Sequence, residues 1–235
     1  MFKFQQFTVH QDKCAMKVGT DGVLLGAWAE GGNHVLDIGT GTGVIALMMA
    51  QRFPKAIVSA IDIDHDACVQ ARENVEESPF NERIQIIESS LQDFSKQWLS
   101  EHQPLFDSIV SNPPYFVNSL KNPDQKRTLA RHADTLPYSA LFLHVSKLLT
   151  EEGIFSAIIP TEQVKDFMAE GYIYALHTIR LFHVKTTSAK QPKRCLIAFS
   201  KTPPINIIEE RTINLLAPNG ERSEWYQEIT KDFYL

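Results

Sequence analysis

The chain is poor in most features that would mark a specialised class of protein. Cysteine is scarce: Cys14, Cys68 and Cys195 are the only three in 235 residues, far apart and in no metal-ligand spacing. An odd, dispersed set excludes a disulfide framework, so free thiols in a reducing cytoplasmic setting are expected, and no metal site. No apolar run approaches the roughly 20 residues that span a bilayer. The opening Met1-Phe2-Lys3-Phe4-Gln5-Gln6 lacks the apolar core of an export signal, so no membrane partner is expected. A basic surplus is missing too, since 23 Lys and Arg face 28 Asp and Glu for a net charge of −5. Bulk nucleic-acid binding by overall charge is therefore disfavoured, and any such contact has to be a local patch. Repeats and low-complexity stretches are also absent.

What the chain does have is alternation. Residues 35–37 read as the end of a strand, and 44–52 as a helix with Ile45, Met48 and Met49 inward. A strand follows at 56–61, then a helix at 64–77 with Asp64 as N-cap. Further strands are read at 84–87, 106–110 and 154–159. Residues 138–149 place Leu141, Phe142, Val145, Leu148 and Leu149 at helical spacing, with Gly153 as the expected helix stop. Continuous apolar strands between helices predict a parallel sheet covered on both faces. The last third changes character: a helix at 164–170, then 178–185 and 194–200 as an antiparallel hairpin joined by a basic loop, 186–193. After Pro203-Pro204, the tail mixes a strand-like run, a turn at Pro218-Asn219-Gly220 and a short helix around Trp225. No second core is evident. One domain over 1–235 is expected, with an N-terminal segment at 1–31 and a C-terminal extension at 203–235.

Two motifs carry chemistry. The first is Asp37-Ile38-Gly39-Thr40-Gly41-Thr42-Gly43. A strand that ends in an acid and turns through glycines into a helix is a nucleotide-cofactor site. Val44 stands where the dinucleotide fingerprint needs glycine, and a strand-end carboxylate at Asp37 would repel a pyrophosphate. It suits instead the cationic amino-acid end of S-adenosylmethionine, with Gly39, Thr40 and Gly41 letting the backbone approach. Asp62, 19 residues beyond Gly43, ends the next strand and is placed to accept hydrogen bonds from both ribose hydroxyls, with Ile63 beside it. Asp64 is the rival for that role. A ligand-free tight turn is the bland reading of this motif.

The second motif is Asn112-Pro113-Pro114-Tyr115, 75 residues after Asp37 and again behind an apolar strand. Exocyclic amines are poor nucleophiles because their lone pair is delocalised. Accepting both N–H bonds, with the Asn112 side chain and the Pro113 carbonyl, biases the nitrogen toward tetrahedral geometry. The prolines fix the loop, and Tyr115 offers a flat face for a planar target. The bland reading is a proline-rich turn.

Before the first strand, the segment from Lys17 through Thr20 to Gly26 reads as a turn into a short helix, 23–29. It either closes over the cofactor's methionine end or merely covers the sheet edge. After Tyr115, residues 121–132 carry four positive charges (Lys121, Lys126, Arg127 and Arg131) and one negative, and end in His132. Such a run is usually a solvated loop, but beside a catalytic loop it can grip RNA phosphates. The hairpin cations Lys185, Lys190, Lys193 and Arg194 are a weaker candidate for the same task.

Several stretches resemble the bacterial tRNA(Val) adenine N6-methyltransferases, which modify the adenine beside the anticodon. They are Phe7-Thr8-Val9 with 12–22, 36–43, 112–115, Ala130-Arg131-His132 and Thr230-Lys231-Asp232-Phe233-Tyr234-Leu235. The opening and closing segments are the more specific ones. The resemblance implies a Rossmann-like class I methyltransferase: an α/β fold with a mostly parallel seven-stranded sheet and an antiparallel C-terminal hairpin. It further implies S-adenosylmethionine as cofactor, tRNA as partner and action as a monomer. The implied cofactor set is Lys17, Thr20, Asp37, Gly39, Thr40, Gly41, Asp62, Ile63, Ser90, Leu91 and Asn112. Many relatives carry Gly-Asp after the third strand, near the cofactor's adenine amino group, whereas this chain has Ser89-Ser90 followed by Leu91-Gln92-Asp93. Ser90 with the Leu91 amide, or Asp93, is the expected substitute. The rival functions are protein glutamine N5-methylation, which uses the same amide-cradling logic but usually with an extra helical domain, and methylation of a base amino group in rRNA. DNA adenine methylation would usually bring a target-recognition insert. A non-catalytic RNA-binding relative is opposed by Asp37 and Asn112, and a nicotinamide-dependent reductase by Val44.

Overall fold

The structure is a computed structural model that describes residues 1–14, 17–113, 136–205 and 207–235. Strands and helices are numbered below in chain order among those residues. The centre is an eight-stranded sheet with the order β10-β8-β9-β7-β6-β3-β4-β5. Its strands are β3 (His34–Ile38), β4 (Ile57–Asp62), β5 (Ile84–Glu88), β6 (Phe106–Ser111), β7 (Leu149–Pro160), β8 (His177–Lys185), β9 (Arg194–Ser200) and β10 (Glu209–Asn214). The pairs from β5 across to β7 are parallel, and β9 runs antiparallel to both β7 and β8, as the hairpin reading requires. The seven expected strands are all present. β10, from the C-terminal extension, adds an eighth at the edge, parallel to β8.

Side chains alternate across the sheet, as the pleat demands. Val35, Val58 and Val110 enter the core beneath α1 (Thr20–Trp28) and α2 (Val44–Arg52). Leu36, Ile38 and Ile109 enter the opposite core, shared with α4 (Leu91–Ser100), α5 (Tyr138–Leu148) and α6 (Val164–Ile173). Two amphipathic layers thus cover one two-faced sheet. α3 (His65–Glu76) starts at its Asp64 cap, whose carboxylate accepts the Ala67 N–H at 3.0 Å.

Three local readings need correction. α4 was not anticipated, although Leu91 and Phe94 are buried along it and Ser90 caps it. The helix near the N-terminus spans Thr20–Trp28, three residues earlier than expected at its start. Gly153 is no helix stop: Leu149 is already extended, and Gly153 lies within β7. There the register against β6 slips, and a Cβ would come within 2.8 Å of the Leu149 side chain.

The chain's ends meet. A small ribbon, β1 (Phe2–Lys3) with β2 (Thr8–Val9), packs on the closing segment. Gln5 N–H donates to the Phe233 carbonyl at 2.9 Å, the Phe4 and Tyr234 rings stack 6.2 Å apart, and Phe233 is 1% exposed. Tyr226, on α7 (Glu224–Thr230), shares a hydroxyl–hydroxyl bond of 2.8 Å with Tyr234. The closing residues therefore anchor the opening ones.

Candidate active site

The chain leaves β3 outward through β4 to β5, then returns to place β6 on β3's other side. In open α/β sheets, ligands bind at that reversal, beyond the carboxyl ends of the strands. The ends of β3 and β6 carry the two sequence motifs, Gly39 to Gly43 and Asn112. The Ser111 hydroxyl donates to the Ile38 carbonyl at 2.9 Å, tying the two strand ends together.

Here lies a cleft of about 330 Å³, lined by 17–22, 39–42, Val44, Ile45 and Asn112. It brings together Lys17, Thr20, Gly39, Thr40, Gly41 and Asn112 from the expected set. The glycine loop has an unusual backbone, with Gly39, Gly41 and Gly43 at φ of +73°, +55° and +80°. L-residues resist that region, which explains why glycines recur at every second position. Nothing lies within 4 Å of where a Cβ on Gly39 or Gly41 would stand. The loop thus keeps clear a space that side chains would fill. Gly39 and Thr40 donate to the Ile61 carbonyl at 2.9 and 3.0 Å, which fixes the loop to β4.

Asp37 lies under this loop, fully buried, on the sheet face covered by α1 and α2. Its Oδ2 accepts the Thr40 hydroxyl at 2.6 Å, while Oδ1 makes no well-formed hydrogen bond. Burial pushes its carboxyl up to about 7; the Thr40 hydroxyl bond and the Ala46 amide pull it down, and the negative charge of Asp62 pushes it up. Asp37 does not itself line the cleft; a buried carboxylate directly beneath an open glycine loop still suits the ammonium of an amino-acid-bearing cofactor electrostatically.

Asp62 ends β4, outside the cleft lining. Its Oδ2 accepts Gly41 N–H at 2.8 Å and its Oδ1 accepts Asp64 N–H at 3.0 Å. Each carboxylate oxygen keeps a further lone pair, so both can also accept from a ligand hydroxyl. Asp64 is committed to capping α3, which leaves Asp62 as the acid facing the loop. Ile63 is 57% exposed at the strand's tip. Just beyond the end of β5, Ser90 caps α4: its hydroxyl accepts Asp93 N–H at 3.1 Å and donates to Asp93 Oδ2 at 2.7 Å. An acid thus stands at this corner although the Gly-Asp pair is absent. The Leu91 side chain is buried in the core, so only its backbone faces outward. Pro113 is buried behind Asn112. Pro114 and Tyr115, and the basic-run residues Lys121, Lys126, Arg127, Arg131 and His132, lie outside the described residues.

Sequence reasoning missed the supports of this site. On α3, the buried Asn74 donates to the His10 carbonyl at 2.9 Å and the Thr42 carbonyl at 2.8 Å, and accepts His10 N–H at 2.7 Å. Gln70, one turn earlier, accepts the Asp12 and Lys13 N–H groups at 3.0 and 3.2 Å. These two amides bind the opening segment to the glycine loop. Their four-residue spacing on one helix face was the available signal. Asp21 was also missed; it lines the cleft and accepts from Arg194 Nε of β9 at 2.8 Å.

The profile of the Methyltransferase small domain family matches residues 18–138. A tRNA1(Val) (adenine(37)-N6)-methyltransferase from Parabacteroides distasonis is 48% identical, over 100% of this chain and 97% of its own length. One of the same description from Bacteroides thetaiotaomicron is 47% identical with the same coverage. Among solved structures, a predicted O-methyltransferase from Agrobacterium tumefaciens superposes with a TM-score of 0.70 at 15% identity, over 91% of this chain and 96% of that one, which shows a shared fold.

Proposed function

We propose that this chain, which belongs to the bacterial tRNA1(Val) (adenine(37)-N6)-methyltransferase family, methylates the N6 amino group of adenine 37 in tRNA1(Val). The observation that carries the reading at the level of chemistry is the cleft in which Asn112 faces the glycine loop. An acceptor side chain for an amine and a cradle for S-adenosylmethionine share one space. That cofactor supplies an electrophilic methyl group on a sulfonium.

The protein's own part is positioning. Asp37 holds the ammonium end, the glycine loop passes close to the ligand backbone, and Asp62 accepts from the ribose. The Asn112 side-chain oxygen and the Pro113 carbonyl accept the two N–H bonds of the target amine. In this reading the nitrogen lone pair is thereby turned toward the methyl donor, and Pro114 belongs to the same motif. Tyr115 stacks on the extruded base. The amine becomes acidic once methylated, so the site needs no strong base. Lys121, Lys126, Arg127, Arg131 and His132 follow Tyr115 in sequence and contact tRNA phosphates in this reading. The same reading assigns the protein to the cytoplasm; among the described residues no helix is long and apolar enough to cross a membrane.

The test is single-turnover methylation of a tRNA1(Val) transcript, with nucleoside mass spectrometry to identify the product. Asn112→Ala should slow the step by roughly 10²–10³-fold, the scale for one positioned polar group. Affinity for S-adenosylhomocysteine should change far less, because the lost contacts strengthen only as the nitrogen pyramidalises. Methyl transfer by Asn112→Ala at near the wild-type rate would overturn the mechanism.

A further inference from the structure

We infer that the β8–β9 hairpin is a second phosphate-gripping surface for the tRNA, set beside the active-site cleft. The inference rests on the tRNA reading above.

β8 ends at Lys185 and β9 begins at Arg194, so the turn between them projects from the carboxyl edge of the sheet, where Asn112 also lies. β9 is two strands from β6 and β8 is three. At about 4.8 Å per strand, the hairpin stands roughly 10–15 Å to the side of Asn112. A nucleic-acid strand with a phosphate every ~3.4 Å of rise covers that distance in about three to five nucleotides. Phosphates flanking a base held in the cleft therefore reach the hairpin.

The chemistry of the turn suits them. Its sequence, Thr186-Thr187-Ser188-Ala189-Lys190-Gln191-Pro192-Lys193, has no acid, in a chain of net charge −5. Lys190 and Lys193 are exposed, and Lys185 is half-buried with its ammonium on the Ser188 carbonyl. Among the described residues no ion pair engages any of the three lysines, whereas Arg180, Arg194 and Lys201 on the same two strands and just beyond each hold a carboxylate. The hydroxyls of Thr186, Thr187 and Ser188 add phosphate hydrogen-bonding groups.

The turn is also built firmly. Lys190 N–H bonds the Thr187 carbonyl at 3.1 Å, Lys193 N–H the Val184 carbonyl at 3.2 Å, and Thr161 N–H the Lys193 carbonyl at 3.2 Å. Arg194 anchors it to Asp21, a lining residue of the cleft, at 2.8 Å. A strand of tRNA held on the hairpin is thus held in fixed relation to the cofactor side of the site.

The experiment measures tRNA1(Val) transcript binding to the full chain between 50 and 200 mM salt, for wild type and K185Q/K190Q/K193Q. Losing three phosphate contacts should cut the slope of log affinity against log salt by about 2 to 3. The wild-type advantage should then shrink roughly 20- to 40-fold across that range. Because Lys185 braces the turn, K190Q/K193Q serves as a second variant, with an expected slope loss of about 1.4 to 1.8. Both should keep wild-type affinity for S-adenosylhomocysteine, and K190Q/K193Q should also keep the wild-type thermal midpoint. An unchanged slope in both variants, with wild type still binding and methylating tRNA, overturns the hairpin inference and leaves the functional reading standing. Failure of the wild type to bind or methylate tRNA overturns both.

Discussion

Asp37→Asn probes the least ordinary group in the site. The carboxyl is fully buried and pushed up to about 7, chiefly by loss of hydration. An acid whose folded value lies above its unfolded value holds a proton in the fold that the open chain has lost. Stability therefore falls as pH rises through the window from about 4 to 7, and the penalty is complete above it. At ~1.4 kcal/mol per pH unit, the ionised carboxylate costs the ligand-free protein at most about 4 kcal/mol at pH 8. Asparagine keeps the shape and the Thr40 contact without the charge. Asp37→Asn should raise the ligand-free thermal midpoint at pH 8, by about 2–4 °C per kcal/mol recovered in a chain of this size, and leave it nearly unchanged at pH 4. A cationic ligand end reverses the balance, because it favours the ionised acid. Binding of S-adenosylhomocysteine below pH 7 should then release a proton, and affinity should climb up to tenfold per pH unit before levelling above 7. Calorimetry in buffers of different ionisation enthalpy counts that proton. Asp37→Asn should bind more weakly, with no release from this site. Proton release at pH 6 that is identical in wild type and Asp37→Asn would refute the argument, because the titrating group would then lie elsewhere.

Two further substitutions separate the loop's geometry from the frame that holds it. Gly41→Ala puts a side chain at φ +55°, where no protein atom obstructs it. Thermal unfolding should report a loss of about 1–2 kcal/mol from backbone strain, and cofactor affinity should fall further because the methyl stands in the space kept clear; undiminished affinity would mean the loop does not face the ligand. Phe233→Ala empties a site that is 1% exposed, with an expected cost of about 3–5 kcal/mol and faster proteolysis of the opening ribbon; a midpoint within a degree of wild type would show that the two ends do not support each other.

Much of the fold was legible because its strands are apolar runs closed by polar punctuation. β3, β4 and β6 could be placed to within a residue or two at their carboxyl ends, since Asp37, Asp62 and Asn112 stop the apolar pattern there. The misses have physical causes. The strand-like run of the tail is present as β10, but its place in the main sheet does not show in the sequence because an edge strand needs to bury little, and only Ile213 of its six residues is buried. Gly153 sits where a helix-stopping glycine is common, but Leu149 had already turned the chain into a strand. α4 starts three residues after β5 ends and buries only Leu91, Phe94 and Ser95 of its ten residues, a short apolar stripe in a mostly polar stretch.

The site divides along the same line. Groups that act through their own unusual chemistry were visible: alternating glycines, a strand-end acid, an asparagine before prolines. Groups that act by holding others were not, because their partners are distant in sequence. Asn74 lies 32 residues from the Thr42 carbonyl it binds and 64 from His10, and Arg194 lies 173 from Asp21. No local pattern announces such a pairing. These bonds nevertheless tie both ends of the chain to the site. The opening segment is fastened to the glycine loop through Asn74 and Gln70, and the closing segment covers the opening ribbon through Phe233 and Tyr234. The contacts run without a break from the closing segment to the opening ribbon, and from the opening segment through Asn74 to the Thr42 carbonyl that borders the cleft. Residues distant in sequence thereby help to hold the backbone whose turns the glycines make possible.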